Sequence, residues 1–162
     1  MPKTYEPIAT TNAGPTQSTY TFTSIPSTYT DLVLIISPVG NGDAQVNLRF
    51  NSDTGTNYSY TVLGGNGTSA VADRVADATF IGTDYYFSVT TAGGVIRANI
   101  MNYANSTTFK TALMRADNAG KGTMTNVGLW RNTAAITSVT VTTTNSTFAN
   151  GSTLTLYGIK SA

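Results

Sequence analysis

Apolar and hydroxyl-bearing residues alternate one by one through much of this chain. Thr19 to Thr23 reads TYTFT, Thr137 to Thr143 reads TSVTVTT and Thr153 to Tyr157 reads TLTLY. On an extended backbone each such run puts one residue type on each side, the signature of a half-buried strand. The same period of two groups Tyr20 with Phe22; Leu32, Leu34 and Ile36; Val46, Leu48 and Phe50; Tyr58, Tyr60 and Val62; Val139 with Val141; and Leu154 with Leu156. These residues form the expected core. Leu32 to Ile36 is apolar on both sides, which predicts a central strand covered twice or a strand at a subunit contact. Asn47 and Arg49 fall opposite the Val46, Leu48 and Phe50 set, so they are expected to face solvent or a partner.

Turn-forming residues punctuate the strands at intervals of about 8 to 15 residues, as in a sandwich or barrel. Asn41-Gly42 has the form of a type I′ hairpin turn between Leu32–Ser37 and Val46–Phe50. Gly64 to Gly67 ends the run Tyr58–Leu63, and Gly93-Gly94 joins Tyr85–Thr90 to Val95–Tyr103. Asn105-Ser106 leads into Thr108–Arg115, and Asn118 to Gly122 turns into Thr123–Arg131. Asn150-Gly151 precedes the last strand, Thr153–Lys160. With Tyr20–Ser24 and an N-terminal strand at Tyr5–Thr10, about ten strands result, hairpins dominating the second half. One segment, Ser69–Ala78, is a helix candidate because Val71 and Val75 share a helical face, and being short it is equally readable as a loop. The pattern shows no linker and no repeat of fixed period, so residues 1–162 are read as one β-sandwich domain.

Composition narrows the chemistry. The chain of 162 residues has no histidine and no cysteine, and charged residues make up 10% of it. Serine–histidine and cysteine–histidine catalysis are thereby excluded, as are zinc sites of the Cys/His kind. Carboxylate chemistry, oxygen-ligand metals and non-catalytic binding remain. Glycoside hydrolysis needs two carboxyls about 5 to 10 Å apart, whereas the acids Glu6, Asp31, Asp43, Asp53, Asp73, Asp77, Asp84 and Asp117 are dispersed singly. No catalytic residue, cofactor or enzymatic activity is expected. The net charge of +1, with Lys and Arg scattered from Lys3 to Lys160, offers no stripe for nucleic acid. No apolar run approaches the ~20 residues that span a bilayer, and the segment MPKTYEPIATT lacks the apolar centre of a signal peptide.

Two groups of residues are candidates for binding. Asn51, Asp53, Gly55 and Asn57 alternate through a loop, a spacing that suggests oxygen ligands for calcium, although a single acid is far from the donor set of an EF-hand loop. Trp130, Arg131 and Asn132 stand at a strand end, where an aromatic face beside polar groups suits a glycan or partner protein. Tyr85-Tyr86 sends one ring to each side of its strand, so one of them is expected outside the core. The alternative for Trp130 is a core position with Met124 and Gly128 on its face. Asn-x-Ser/Thr triplets at Asn57, Asn66, Asn105, Asn145 and Asn150 follow from the composition and carry no glycosylation signal by themselves.

The segment RFNSDTGTNYSY (Arg49 to Tyr60), together with YEPIATT, FTSIPSTYTDLVLII and the closing STLTLYGIK, resembles small β-structured virion proteins of tailed bacteriophages, especially those of aquatic hosts. The likeness covers the N-terminus, the first third and the C-terminus in order, and the segment from about Gly67 to Tyr86 departs from it. It implies a jelly-roll or related β-sandwich, made in the host cytoplasm and carried in the virion as a non-enzymatic capsid decoration or cement protein. Its partners would be other virion proteins of capsid or tail and further copies of itself, as a trimer. A tail-fibre or receptor-binding module recognising host surface glycan is the alternative.

Overall fold

The computed structural model describes residues 4–40, 42, 44–83 and 93–160, and Tyr85, Tyr86 and the expected strand Tyr85–Thr90 lie outside them. The described chain is all β: β1 (Tyr5–Asn12), β2 (Thr19–Phe22), β3 (Asp31–Ser37), β4 (Gln45–Phe50), β5 (Tyr58–Gly65), β6 (Ala70–Ala78), β7 (Ile81–Gly82), β8 (Val95–Met101), β9 (Lys110–Asn118), β10 (Gly122–Trp130), β11 (Val139–Thr144) and β12 (Thr153–Ile159). Pairing is antiparallel throughout, in an eight-stranded sheet of order β1-β12-β3-β8-β9-β10-β5-β6 and a four-stranded sheet of order β2-β11-β4-β7.

The order is jelly-roll-like. Counted from β2, the smaller sheet interleaves strands from the start and the end of the chain, and β3, β5 and β6 answer it in the larger sheet. The meander β8-β9-β10 fills the place that a single strand takes in the simplest jelly roll, and β12 with β1 widens the opposite side. Because β3 belongs to the large sheet and β4 to the small one, the expected Asn41-Gly42 hairpin does not exist: β3 pairs with β12 and β8, while β4 pairs with β11 and β7. The connection crosses between sheets, which local turn chemistry cannot distinguish from a hairpin.

The helix candidate Ser69–Ala78 is also corrected, since Ala70–Ala78 is strand β6, paired with β5. A spacing of four residues suits a strand face as well as a helix face, and β-branched Val71 and Val75 favour the strand. The Asn66 side chain decides the matter locally by accepting from the Thr68 and Ser69 backbone N–H groups at 3.0 and 2.8 Å, which folds β5 back into β6. Asn105 does the same for Thr107 and Thr108 at 2.7 and 2.9 Å, between β8 and β9. At these two sites the Asn-x-Thr triplets are turn caps.

The expected core residues are all buried between the sheets. Phe50, Tyr58 and Trp130 pack as one aromatic cluster, with Phe50 and Trp130 edge-on at 5.6 Å and Tyr58 and Trp130 stacked at 6.3 Å. Ile81 reaches from β7 onto Gly128 of β10, so close that a Cβ at Gly128 would lie 2.4 Å from the Ile81 side chain. Lys110 is buried as well, its Nζ donating to the Thr108 and Thr133 carbonyls at 2.7 and 3.0 Å, and desolvation lowers its pKa.

Asn47 does not face solvent as expected. It is buried on β4, donating through Nδ2 to Thr144 Oγ1 at 2.8 Å, while Arg49 is half-buried with its guanidinium 5.6 Å from the Phe80 ring centre. The reason is Gly82 on neighbouring β7: a Cβ there would stand 2.7 Å from Gln45 and 2.9 Å from Asn47, so its absence lets both side chains lie across the strand.

Candidate functional site

Asn51, Asp53 and Asn57 are committed to the protein itself and do not converge on a common point. Asn51 Oδ1 accepts from the backbone N–H of Thr137 at 2.8 Å and Ser138 at 3.1 Å, and its Nδ2 donates to Ala135 O at 2.8 Å. Those bonds turn Asn51 toward the segment before β11. Asp53 turns the other way, and its carboxylate accepts from Gly55 N at 2.8 Å, Asn57 Nδ2 at 2.9 Å and Trp130 Nε1 at 2.7 Å. Partial burial pushes this carboxyl up, yet the bonds from Trp130, Asn57 and Gly55 together outweigh that and hold it below the ordinary aspartate range. The calcium reading of this loop is replaced by a clasp, in which the oxygens that would ligate a cation accept N–H groups. Among the described residues, no group of three His, Cys, Asp or Glu side chains is placed to hold a metal ion.

Trp130 is likewise corrected as a surface platform, being 0% exposed. β10 alternates inward and outward, and Trp130 falls on the inward side with Met124 and Gly128. Its neighbour Arg131 serves the same clasp. Arg131 donates to Thr56 O at 2.7 Å and pairs with Asp77 at 2.9 Å, and the Asn132 carbonyl accepts from Ala134 N at 2.9 Å. Trp130 and Arg131 thus meet Asp53 and Asn57 at one end of the sandwich, as a structural junction, while Asn132 caps the turn that follows.

The exposed chemistry lies elsewhere, on the outer face of the eight-stranded sheet. Outward residues of β10 are Thr123, Thr125, Val127 and Leu129. Val127 stands directly opposite Leu113 of β9, and Leu63 of β5 stands opposite Thr125. Leu63 is 60% exposed, Val127 47% and Leu113 39%, so an apolar cluster is left open over β9, β10 and β5, in the half of the face toward β6. Tyr5, Val95 and Met101 add exposed apolar area on β1 and β8. Shallow depressions follow β10 along its length, from a cleft of about 640 Å³ between the β5–β6 and β9–β10 turns to a hollow of about 200 Å³ beside Arg74, Thr111 and Leu129.

Toward β1 the outward side chains of the same face are tied to one another. Arg97 donates to Asn99 Oδ1 and to Tyr5 OH, both at 3.1 Å, and Tyr5 sits edge-on to Tyr157 at 6.3 Å. Val33, in the middle of β3, is buried there in spite of pointing outward. Leu32 to Leu34 are therefore covered on both sides within one chain, while outward Ile35 stays half-buried.

Both edges of this sheet are blunted. On β1, Pro7 supplies no N–H and the register slips between Pro7 and Ala9. On β6, Asp73 stands opposite Val62 on the core side, and a second slip brings Asp77 to a φ of 53°. Edge-to-edge strand addition is disfavoured by these devices, while the face remains open. Sequence reasoning singled out none of the face residues, since an exposed Leu or Val within an alternating strand reads as core until the second face is known. Comparison of the chain with models of known families and with curated proteins gives no match.

Proposed function

We propose that this chain is a non-enzymatic structural protein of a bacteriophage particle, decorating or cementing the capsid exterior. The observation that carries the reading is the open apolar patch on a wide, sparsely charged sheet face whose strand edges are both blunted. Such a surface suits lateral attachment to another protein by apolar burial, with a polar rim. Threonine ladders support the same lifestyle: Thr10 meets Thr155 and Thr21 meets Thr140, each pair at 3.1 Å and exposed, coating the strands with hydroxyls instead of charges. The virion assignment itself rests on the sequence resemblance, and assembly as a trimer belongs to the same proposal.

The adhesin reading loses support, because its principal aromatic, Trp130, is enclosed. The deciding experiment is the copy number of this protein relative to the major capsid protein in purified particles. Hundreds of copies are expected for a decoration protein. A few tens or fewer would move it to the tail, and its absence from particles would end the virion reading.

A further inference from the structure

We infer that the outer face of the eight-stranded sheet, centred on Val127, Leu113 and Leu63, is the surface that docks a neighbouring protein, and that the docked surface is apolar at its middle with carboxylates at its rim. The inference rests on the virion reading above and adds the face and the partner's chemistry.

Size is the first argument. At a strand spacing of ~4.8 Å and a rise of ~3.3 Å per residue, eight strands of about eight residues offer a face of roughly 1,000 Å². A stable specific interface needs about 800 Å² from each partner, so this one face suffices without the edges. Its depressions run on along β10 between the rows contributed by β5 and β9, which suits an elongated partner surface lying along the strand.

Charge selects the partner. Arg74, Arg97 and Arg115 point outward around the apolar patch, Arg97 lying directly opposite Arg115 and Arg74 opposite Thr61. Arg115 is held by Asp117 at 2.7 Å. Among the described residues Arg74 and Arg97 have no carboxylate within ion-pair distance, and Arg97 is bound by the neutral groups of Asn99 and Tyr5. Asp31, the other acid at this face, accepts from the backbone of Asn102 at 2.6 Å. The same face of a second copy would bring the same guanidinium groups, while its described acids Asp31 and Asp117 are already engaged by Asn102 and Arg115, so a copy docked face to face is a poor occupant. A partner bearing Asp or Glu around an apolar patch satisfies both features.

The test is reconstitution of the full-length purified chain onto particles produced without it, scored as bound copies per major capsid protein. Val127→Asp and Leu63→Asp lie on the open face, and melting temperatures within a few degrees of wild type establish that they fold. Each is expected to lower occupancy at least tenfold, whereas Thr21→Asp on the small sheet leaves it unchanged. Arg97→Glu is expected to slow attachment several-fold at low salt, the difference vanishing at ~0.5 M salt, where exposed charges are screened. Wild-type protein that binds no particle and is absent from natural ones overturns the virion reading. Wild type that binds, with folded Val127→Asp binding equally, overturns this inference alone. Sedimentation supplies the remaining arm: if Val127→Asp turns an oligomer into monomers, the occupant is a second copy and the partner assigned here is wrong.

Discussion

Trp130 Nε1 donates to Asp53 Oδ2 at 2.7 Å, tying the end of β10 to the loop that leaves β4. The two strands lie in different sheets, so this one bond spans the sandwich at the end where its aromatic cluster is packed. Neither partner has an obvious substitute. The indole is enclosed and has a single donor, and the carboxylate gathers Gly55 and Asn57 around the same two oxygens.

Removing the acceptor should therefore cost more than an average surface change. Asp53→Ala leaves a buried indole N–H unpaired and is expected to destabilise by about 1–3 kcal/mol in urea unfolding. The acid dependence follows from the depressed carboxyl. Its folded pKa lies below the unfolded value of 3.8, so its contribution is fully present above that value and is lost as pH falls through the folded pKa. Asp53→Asn keeps one acceptor oxygen and cannot titrate, so its stability should decline less steeply below about pH 4. Identical acid profiles for Asp53→Asn and wild type would remove the clasp from the account.

Because the chain holds one tryptophan, its fluorescence reports the same junction. Enclosed Trp130 is expected to emit at short wavelength, to resist acrylamide and to be indifferent to added host polysaccharide until the protein unfolds. Saturable quenching by a polysaccharide at native melting temperature would revive the adhesin reading.

The inward set and most strands were legible because alternation is a local property, β6 being the exception because the spacing of Val71 and Val75 also fits a helix. Val46, Leu48 and Phe50 or Leu154 and Leu156 needed no partner to be recognised, and all are buried. What was not legible depends on which strands become neighbours. Asn47 alternates like a surface residue and is buried because a glycine lies beside it on β7, far along the chain. Asp53 and Trp130 stood in two separate candidate sites, and only the crossing of two sheets makes them one. The open cluster of Leu63, Leu113 and Val127 was invisible for the converse reason: only registers between strands distant in sequence bring those three side chains together.

Close contact between the sheets offers a packing test. A Cβ at Gly128 would meet Ile81 at 2.4 to 2.8 Å, with three side-chain atoms in the way. Gly128→Ala should destabilise by about 1–3 kcal/mol, the usual cost of overpacking. Ile81→Ala vacates that space, so the double variant should be more stable than the sum of the two single effects, by roughly 0.5–3 kcal/mol in a thermodynamic cycle. Simple additivity would mean that the two residues do not touch.

The alkaline limit of stability should be set in part by Tyr58. Its hydroxyl accepts from Phe50 N at 3.0 Å inside the aromatic cluster, and burial pushes its pKa up from 10.0 to about 12. The neutral phenol is thus favoured in the fold, and its contribution is complete below the unfolded value of 10.0 and is lost as pH rises through about 12. Wild-type stability should fall across that interval. Tyr58→Phe removes the titration but leaves the buried Phe50 N–H without its acceptor, a cost of about 1–3 kcal/mol at neutral pH. The variant should accordingly be weaker than wild type at pH 7 and lose less on going from pH 10 to 12, so that the gap between the two narrows. Urea midpoints for both proteins at neutral pH and across the alkaline range measure that gap; one that stays constant would place the alkaline loss outside Tyr58.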